Sequence, residues 1–531
     1  MTYKEPGSST QELLDGQQRW STMLDYQENK ATYLKELDKE NYFYYYNKLN
    51  SWVDTESNKK IPESEYAVAL SKKSDLKLAD WADELIEKYS FKDKKAKDIR
   101  ELLQEAIEKA NEFLNVQDIS IPVITYTGDY SNVAEVFENL NKGGTQLTKF
   151  EIFSAAWHNT TIKLENTPFQ QEILLEVKNY YIKKQNDAQE FDFDLKGFSE
   201  DELTRTREIN LFELGVALGK FIQRRLPALC VKENSSLELG FGLLGIIANV
   251  DPKKLVNLGG ELNKIKSTLE TSLIKIDHIS IKLQQIFEFL KQNCRKGNKG
   301  SLYQTGLSTT YKTLSYFAAL WNFEPESSNY RITLNNIPQY YISDALNRFW
   351  GNAGDNRLYE YYPKINKKNY LTSLNKENFK DTFNNWLLEV NTQPTDFNSS
   401  VRALATIHAN LTYLSSYLKY GEALQFEHIY PKARIREKDL NKEVLLGRLG
   451  NAMFLPKLLN EKKKTKTLYE INDSDRYDDV IKESSYPSED EFLYAFSELD
   501  KGNYDAVNDL IMKRSKKVID ELTERIFKSP F

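Results

Sequence analysis

The chain has 531 residues, of which 40% are hydrophobic and 28% charged, with a formal net charge of -6. That mixture excludes a disordered polymer, and at about 150 residues per domain the length suggests roughly three domains. Cys230 and Cys294 are too few for a disulfide framework or a zinc cluster, and the most apolar run, Phe241 to Val250, is too short to span a bilayer.

The opening MTYKEPGSST lacks a basic segment followed by an apolar one, so a cytoplasmic protein is expected. Gln11 to Trp20 reads QELLDGQQRW, in which an apolar pair leads into the turn dipeptide Asp15-Gly16 and Gln17-Gln18-Arg19 opens a helix. Free N–H groups at a helix start attract anions, and arginine grips phosphate with two prongs. Asp15, Gly16, Gln17, Gln18 and Arg19 are therefore candidates for binding nucleotide or nucleic-acid phosphate. The strand expected at Glu12 to Leu14 needs neighbours. Its clear partner is Ile119 to Thr127, at an edge because of Pro122. Further on, Asn141, Lys142, Gly143 and Gly144 form a tight loop, and Thr148 with Glu151 makes a capping box for the next helix.

The middle is helical in pattern. Asn210 to Arg225, Ile274 to Asn293, Tyr311 to Asn322 and Val401 to Tyr420 have apolar residues at helical spacing. Asp187 to Glu202 reads as an acidic linker, Asn234 to Ser236 as a soft loop, Asp251-Pro252 as a breaker, and Gly351 to Arg357 as a surface loop. His158, His278 and His408 have no acidic or histidine partner at metal-ligand spacing and are read as structural. No repeat of fixed period and no P-loop pattern is present.

The richest stretch is FEHIYPK, Phe426 to Lys432, followed by GRLGNAMFLPKLLNEKKKTK. Phe426 to Tyr430 reads as a strand closed by Pro431, and Asn451 to Leu455 as a second strand stopped by Pro456. A helix then starts at Lys457. Hydrolysis of a phosphodiester needs a base and a cation to offset charge on the leaving oxygen. His428 has the pKa for the base, while Glu427 and the amide oxygen of Asn460 offer a hard cation such as Mg²⁺ the oxygen ligands it prefers. A lone histidine here would read as structural; the accompanying Glu427, Asn451 and Asn460 change that reading. From Lys432 to Lys466 there are eleven lysines or arginines against four acids, a surplus of seven. Lys432, Lys457, Lys462, Lys463, Lys464 and Lys466 are accordingly expected to meet DNA phosphates. The tail, Ser488 to Phe531, is helical with mixed charge and is expected to pack against this region.

Strand, long loop, strand and helix with these residues resemble an HNH endonuclease of the H-N-N variety. The resemblance implies that His428 is the general base, that Asn451 orients its ring through an amide oxygen, and that Glu427 and Asn460 hold Mg²⁺ or Mn²⁺. The commonest pattern has Asp where this chain has Glu427. DGQQR followed by the Phe-Glu-x-Leu-Asn-x-Gly-Gly-x-x-Leu-Thr loop resembles the ParB/sulfiredoxin-like domain of GmrSD-type modification-dependent restriction enzymes, which commonly end in such a nuclease. It implies a nucleotide-responsive N-terminal region, with NTP bound by DGQQR and the Asn141 to Gly144 loop, controlling cleavage of modified double-stranded foreign DNA. The family places a longer segment, with a Pro-x-Tyr-Gln-Arg-x-Tyr-x-Trp-like motif, before DGQQR. The N-terminal sheet is therefore expected to be shortened, leaving the nucleotide site incomplete or the sheet completed by a partner subunit or a second copy.

The expected fold is α+β and predominantly helical: a nucleotide-binding region with a small mixed sheet at 1–165, a helical middle at 166–400, and a ββα-metal nuclease at 401–531. The function expected is a metal-dependent DNA endonuclease serving defence. The alternatives are a nucleotide- or modified-DNA-sensing module with a vestigial or partner-dependent nuclease domain, and an NTPase regulator that merely binds nucleic acid.

Overall fold

Helices dominate the described residues, as the apolar spacing predicts, and every sheet is small. The computed structural model describes residues 2–3, 12–13, 17–54, 60–71, 75–113, 115–120, 123–128, 136, 149–157, 160–190, 199–230, 233–290, 295–296, 301–302, 307–389, 395–416, 424–438, 440, 443–471 and 477–528. They fall into two compact units, Met1–Ala156 and Trp157–Phe531. The expected helical middle and nuclease region thus share the second unit. Among the described residues, no helix is long and apolar enough to cross a membrane.

In the first unit, β1 (Thr2–Tyr3) lies between β2 (Glu12–Leu13) and β3 (Thr125–Tyr126), antiparallel to the first and parallel to the second. The strand at Glu12 thus reaches the Ile119 to Thr127 segment only through Thr2 and Tyr3, a pairing too short to leave a periodic pattern. Helix α1 (Gln17–Glu28) opens at Gln17, where the sequence predicts a helix start. Four further helices, α2 (Lys39–Ser51), α3 (Glu63–Leu70), α4 (Asp75–Lys88) and α5 (Ala96–Asn111), enclose a core of Leu49, Tyr66, Leu85 and Leu103. On α5 the buried Ile99, Leu102, Leu103, Ala106 and Ala110 recur at helical spacing, giving one apolar face.

In the second unit, β4 (Thr161–Lys163) pairs antiparallel with β5 (Glu208–Asn210), α6 (Pro168–Glu190) extends into the expected linker, and Glu200–Thr206 is helical as well. The Ser199 hydroxyl caps that second helix by accepting from Glu202 N at 3.2 Å. Helix α7 (Leu211–Arg225) starts at a capping box. Asn210 Oδ1 accepts from Glu213 N at 2.9 Å, and Glu213 Oε2 accepts from Asn210 N at 2.7 Å. The soft loop expected at Asn234 to Ser236 is instead the first turn of α8 (Glu233–Ala248). Glycines explain the difference: a Cβ on Gly240 would stand 1.9 Å from Gly215 O, and one on Gly219 would stand 2.1 Å from Ser236 O. The two helices touch backbone to backbone, and that contact overrides the weak helix propensity of Asn and Ser. Helices α9 (Leu262–Phe289) and α10 (Thr310–Leu320) take up most of the expected segments, with α9 starting twelve residues before Ile274 and α10 ending two residues before Asn322. Helix α11 (Ser328–Leu346) contains Pro338, and Gly354–Glu360 turns part of the expected surface loop into a short helix.

The last layer positions the candidate site. Helices α12 (Lys376–Glu389) and α13 (Ser399–Leu411) precede β6 (Leu424–His428), β7 (Ala452–Pro456) and α14 (Lys457–Lys463). The tail supplies α15 (Glu489–Asp500) and α16 (Asp505–Phe527). Tyr430, Phe454, Leu455, Leu459, Phe492 and Ile511 share one buried cluster, so the tail helices complete the core beneath the hairpin. From α16 the buried Arg514 donates to Gly450 O and Ala452 O, each at 3.0 Å, and to Ser484 O at 2.8 Å. One guanidinium thereby satisfies several carbonyls where the chain enters β7.

Candidate nuclease site

β6 and β7 pair antiparallel, with Phe426 opposite Phe454, Glu427 opposite Met453 and His428 opposite Ala452. Pro456 ends β7 and immediately precedes α14, so the chain passes directly from strand to helix. Alternation along β6 then sorts its side chains by parity. Gln425 and Glu427 meet α14: Asn460 Nδ2 donates to Gln425 Oε1 at 3.0 Å, and Lys463 Nζ donates to Glu427 Oε1 at 2.8 Å. Phe426 and His428 take the opposite face. There the imidazole lies on Phe397, with ring centroids 4.1 Å apart and planes 20° from parallel.

His428 also bonds the Thr395 backbone, and that bond raises its pKa, as one donated by the ring to a carbonyl does. Its Nε2 is buried without a hydrogen-bond partner among the described residues. Burial is the main cause pulling the imidazole down to about 4, with the positive charges of Lys432 and Lys463 adding to it. The ring is therefore neutral near pH 7, with Nε2 as its proton acceptor.

Asn451 is fully buried, but its amide is committed away from the ring. Oδ1 accepts from Tyr430 N at 2.7 Å and Nδ2 donates to Leu446 O at 2.9 Å. Where the resemblance implies an oxygen on the imidazole, the structure has that oxygen holding the chain two residues beyond it. The Asn451 backbone adds a third tie, accepting from Ile429 N at 2.9 Å.

The lysines divide sharply. Lys463, expected on a phosphate surface, is 0% exposed and points inward, because it follows Asn460 by three residues and shares its helix face. Its ammonium donates to His428 O at 2.9 Å as well as to Glu427. Lys432 pairs with Asp396, and Lys457 lies 3.8 Å from Glu461. Lys462, Lys464 and Lys466 are exposed and have no ion-pair partner among the described residues.

The expected divalent ion can be tested against these donors. Glu427, Asn460 and Gln425 offer oxygens of the right kind on one face. However, Glu427 already accepts from a buried ammonium, and a doubly charged ion at that oxygen would meet Lys463 at close range. Among the described residues no three His, Cys, Asp or Glu side chains gather as a metal cluster. As arranged, this face does not fit a divalent ion.

Sequence reasoning passed over Gln425, Thr395, Phe397 and the inward role of Lys463. Two of these were signalled, since Gln425 shares the strand parity of Glu427 and Lys463 the helix phase of Asn460. Thr395 and Phe397 lie upstream of α13 and carry no local signal. At the N-terminus Asp15, Gly16, Asn141, Gly143 and Gly144 lie outside the described residues. Gln17, Gln18 and Arg19 form the first turn of α1, and their side chains are not described. His408 does have an acidic partner, Glu521, at 2.7 Å from its Nε2 and 113 residues away in sequence.

Comparison with curated proteins gives no match, and comparison with solved structures gives none either. The family model described as GmrSD restriction endonuclease, N-terminal domain, matches residues 1–158, so this part of the chain is similar to the N-terminal domain of those enzymes.

Proposed function

We propose that the protein is a DNA endonuclease of a modification-dependent restriction system, with a nucleotide-responsive N-terminal region and its cutting site at the β6–β7–α14 hairpin. The similarity of residues 1–158 to GmrSD N-terminal domains supports the system. The observation that carries the cutting site is His428, a neutral imidazole whose buried Nε2 has no partner among the described residues. A buried polar atom left unpaired carries a free-energy penalty and calls for an explanation; a proton acceptor kept for substrate water is one. In this reading His428 takes a proton from the attacking water, the Thr395 bond and the Phe397 ring hold the imidazole, and Lys462, Lys464 and Lys466 hold the DNA backbone. At the other end, the N–H groups opening α1 suit a phosphate.

A second reading, a module that binds modified DNA without cutting it, is favoured by the Lys463–Glu427 pair, which leaves the expected metal face already neutralised. Cleavage of modified against unmodified duplex separates the two. The assay runs with Mg²⁺, with Mn²⁺ and with chelator, each with and without NTP. The nuclease reading expects His428→Ala to cut about 10²- to 10⁴-fold more slowly while binding DNA as tightly. Undiminished cutting by that variant removes His428 as the base, and no cutting by the wild type under any condition favours the second reading.

A further inference from the structure

Lys463 is fully buried, and its ammonium donates to the Glu427 carboxylate and the His428 carbonyl, both on β6. A buried ammonium persists only when paired and hydrogen-bonded, so this contact is built into the layer. Its geometry is set from the helix end. Lys463 is the last residue of α14, and Lys464 after it adopts φ 46°, ψ −106°, a conformation that L side chains rarely take. The chain thus turns away abruptly while Lys463 stays inside. One turn earlier on the same helix, Asn460 is tied to Gln425, so each polar side chain of α14 facing β6 has a strand partner. A carboxylate, a carbonyl and a cation between a strand and a helix make the arrangement that a ββα-metal site would build around its ion, with the cation here supplied by the chain.

We propose that Lys463 is the resident cation of this face, standing where a divalent ion would stand: its ammonium neutralises Glu427 and clamps α14 to β6, and no divalent ion binds at Glu427. Any chemistry at His428, on the opposite face of the hairpin, then runs without a metal held by that carboxylate. The inference goes beyond the nuclease reading and does not depend on it, because it concerns ion binding by the free protein.

The test is Mn²⁺ binding by the full chain without DNA, followed by electron paramagnetic resonance and calorimetry, for the wild type, Glu427→Gln, Lys463→Met and the double variant. Wild type and Glu427→Gln should bind Mn²⁺ indistinguishably. Lys463→Met should gain a saturable site at least about tenfold tighter than any in the wild type, and the double variant should lose it. A wild-type Mn²⁺ site that Glu427→Gln abolishes overturns the proposal, as does a folded Lys463→Met chain that gains no site. Should Lys463→Met fail to fold, the wild type against Glu427→Gln still decides, since glutamine keeps an oxygen for Lys463 to donate to. Absence of DNA cleavage bears on the nuclease reading alone and leaves this comparison unaffected.

Discussion

Asn451 shows how one side chain can matter to a site without touching its chemistry. Its amide joins Tyr430 N–H to Leu446 O inside the core, and it has no exposed surface. Truncation to alanine strands both groups away from water. At roughly 1 to 3 kcal/mol for each buried group left unpaired, Asn451→Ala should cost about 3 kcal/mol. A urea titration followed by circular dichroism reads that as a lower midpoint, with DNA cleavage falling alongside because Tyr430 sits two residues past His428. Loss of cleavage with an unmoved midpoint would instead return Asn451 to the ring-orienting role that the family resemblance implies. Gly450 beside it acts through space. A Cβ there would stand 1.8 Å from Ile511 O, which lets α16 lie directly on the start of β7. The Gly-Asn pair thus reads in sequence as part of a motif, and in structure as a packing contact and a hydrogen-bonded staple.

Between elements, the α13–α16 contact is held by His408 and Glu521, whose second oxygen accepts from Ser485 Oγ at 2.5 Å. Burial holds the His408 pKa below its usual value, and the positive charges of Arg514 and Arg525 add to that against the pull of Glu521. Burial pushes Glu521 up, but the bonds from His408 and Ser485 outweigh it and leave the carboxylate below its usual range. The signs agree. Below about pH 6.5 an unfolded histidine takes a proton that native His408 refuses, so the unfolded chain binds more protons and stability is lost as the pH falls. Glu521 contributes stability above its unfolded pKa and loses it as pH falls through the lower folded value. Melting temperature should therefore decline from pH 7 to pH 5, and His408→Gln should flatten that decline; parallel curves for the two proteins would place its source elsewhere. This contact also marks what sequence could convey. The strand-proline-helix passage at Pro456 and the phase of α7 are local, and each was legible. The α8 start at Glu233, the His408 partner and the central place of Thr2–Tyr3 in their sheet depend on chain far away, and spacing rules see only neighbours. Lys463 falls between these cases: the lysine run is visible, but which lysine turns inward follows only from the phase that α14 takes on the hairpin.

At the scale of the whole molecule, a net charge of -6 opposes DNA binding, so any phosphate-binding surface must be local. Ionic screening makes that possible, since charges further than about 8 to 10 Å away are largely invisible at physiological salt. Of the six lysines expected to meet phosphate, three lie beside acids and three do not. Lys432 pairs with Asp396, Lys457 with Glu461 and Lys463 with Glu427, while Lys462, Lys464 and Lys466 stand exposed around the end of α14. Each phosphate contact by a lysine releases condensed counterion, steepening log K against log salt by about 0.9. Replacing Lys462, Lys464 and Lys466 together by alanine should therefore flatten that slope by about 2 to 3 and weaken binding to every duplex sequence alike. Fluorescence anisotropy with a short duplex over a salt series measures both effects. A triple variant with the wild-type slope would move the DNA surface away from α14, whereas a flattened slope with modified and unmodified DNA affected equally would place the sensing of modification outside this cluster.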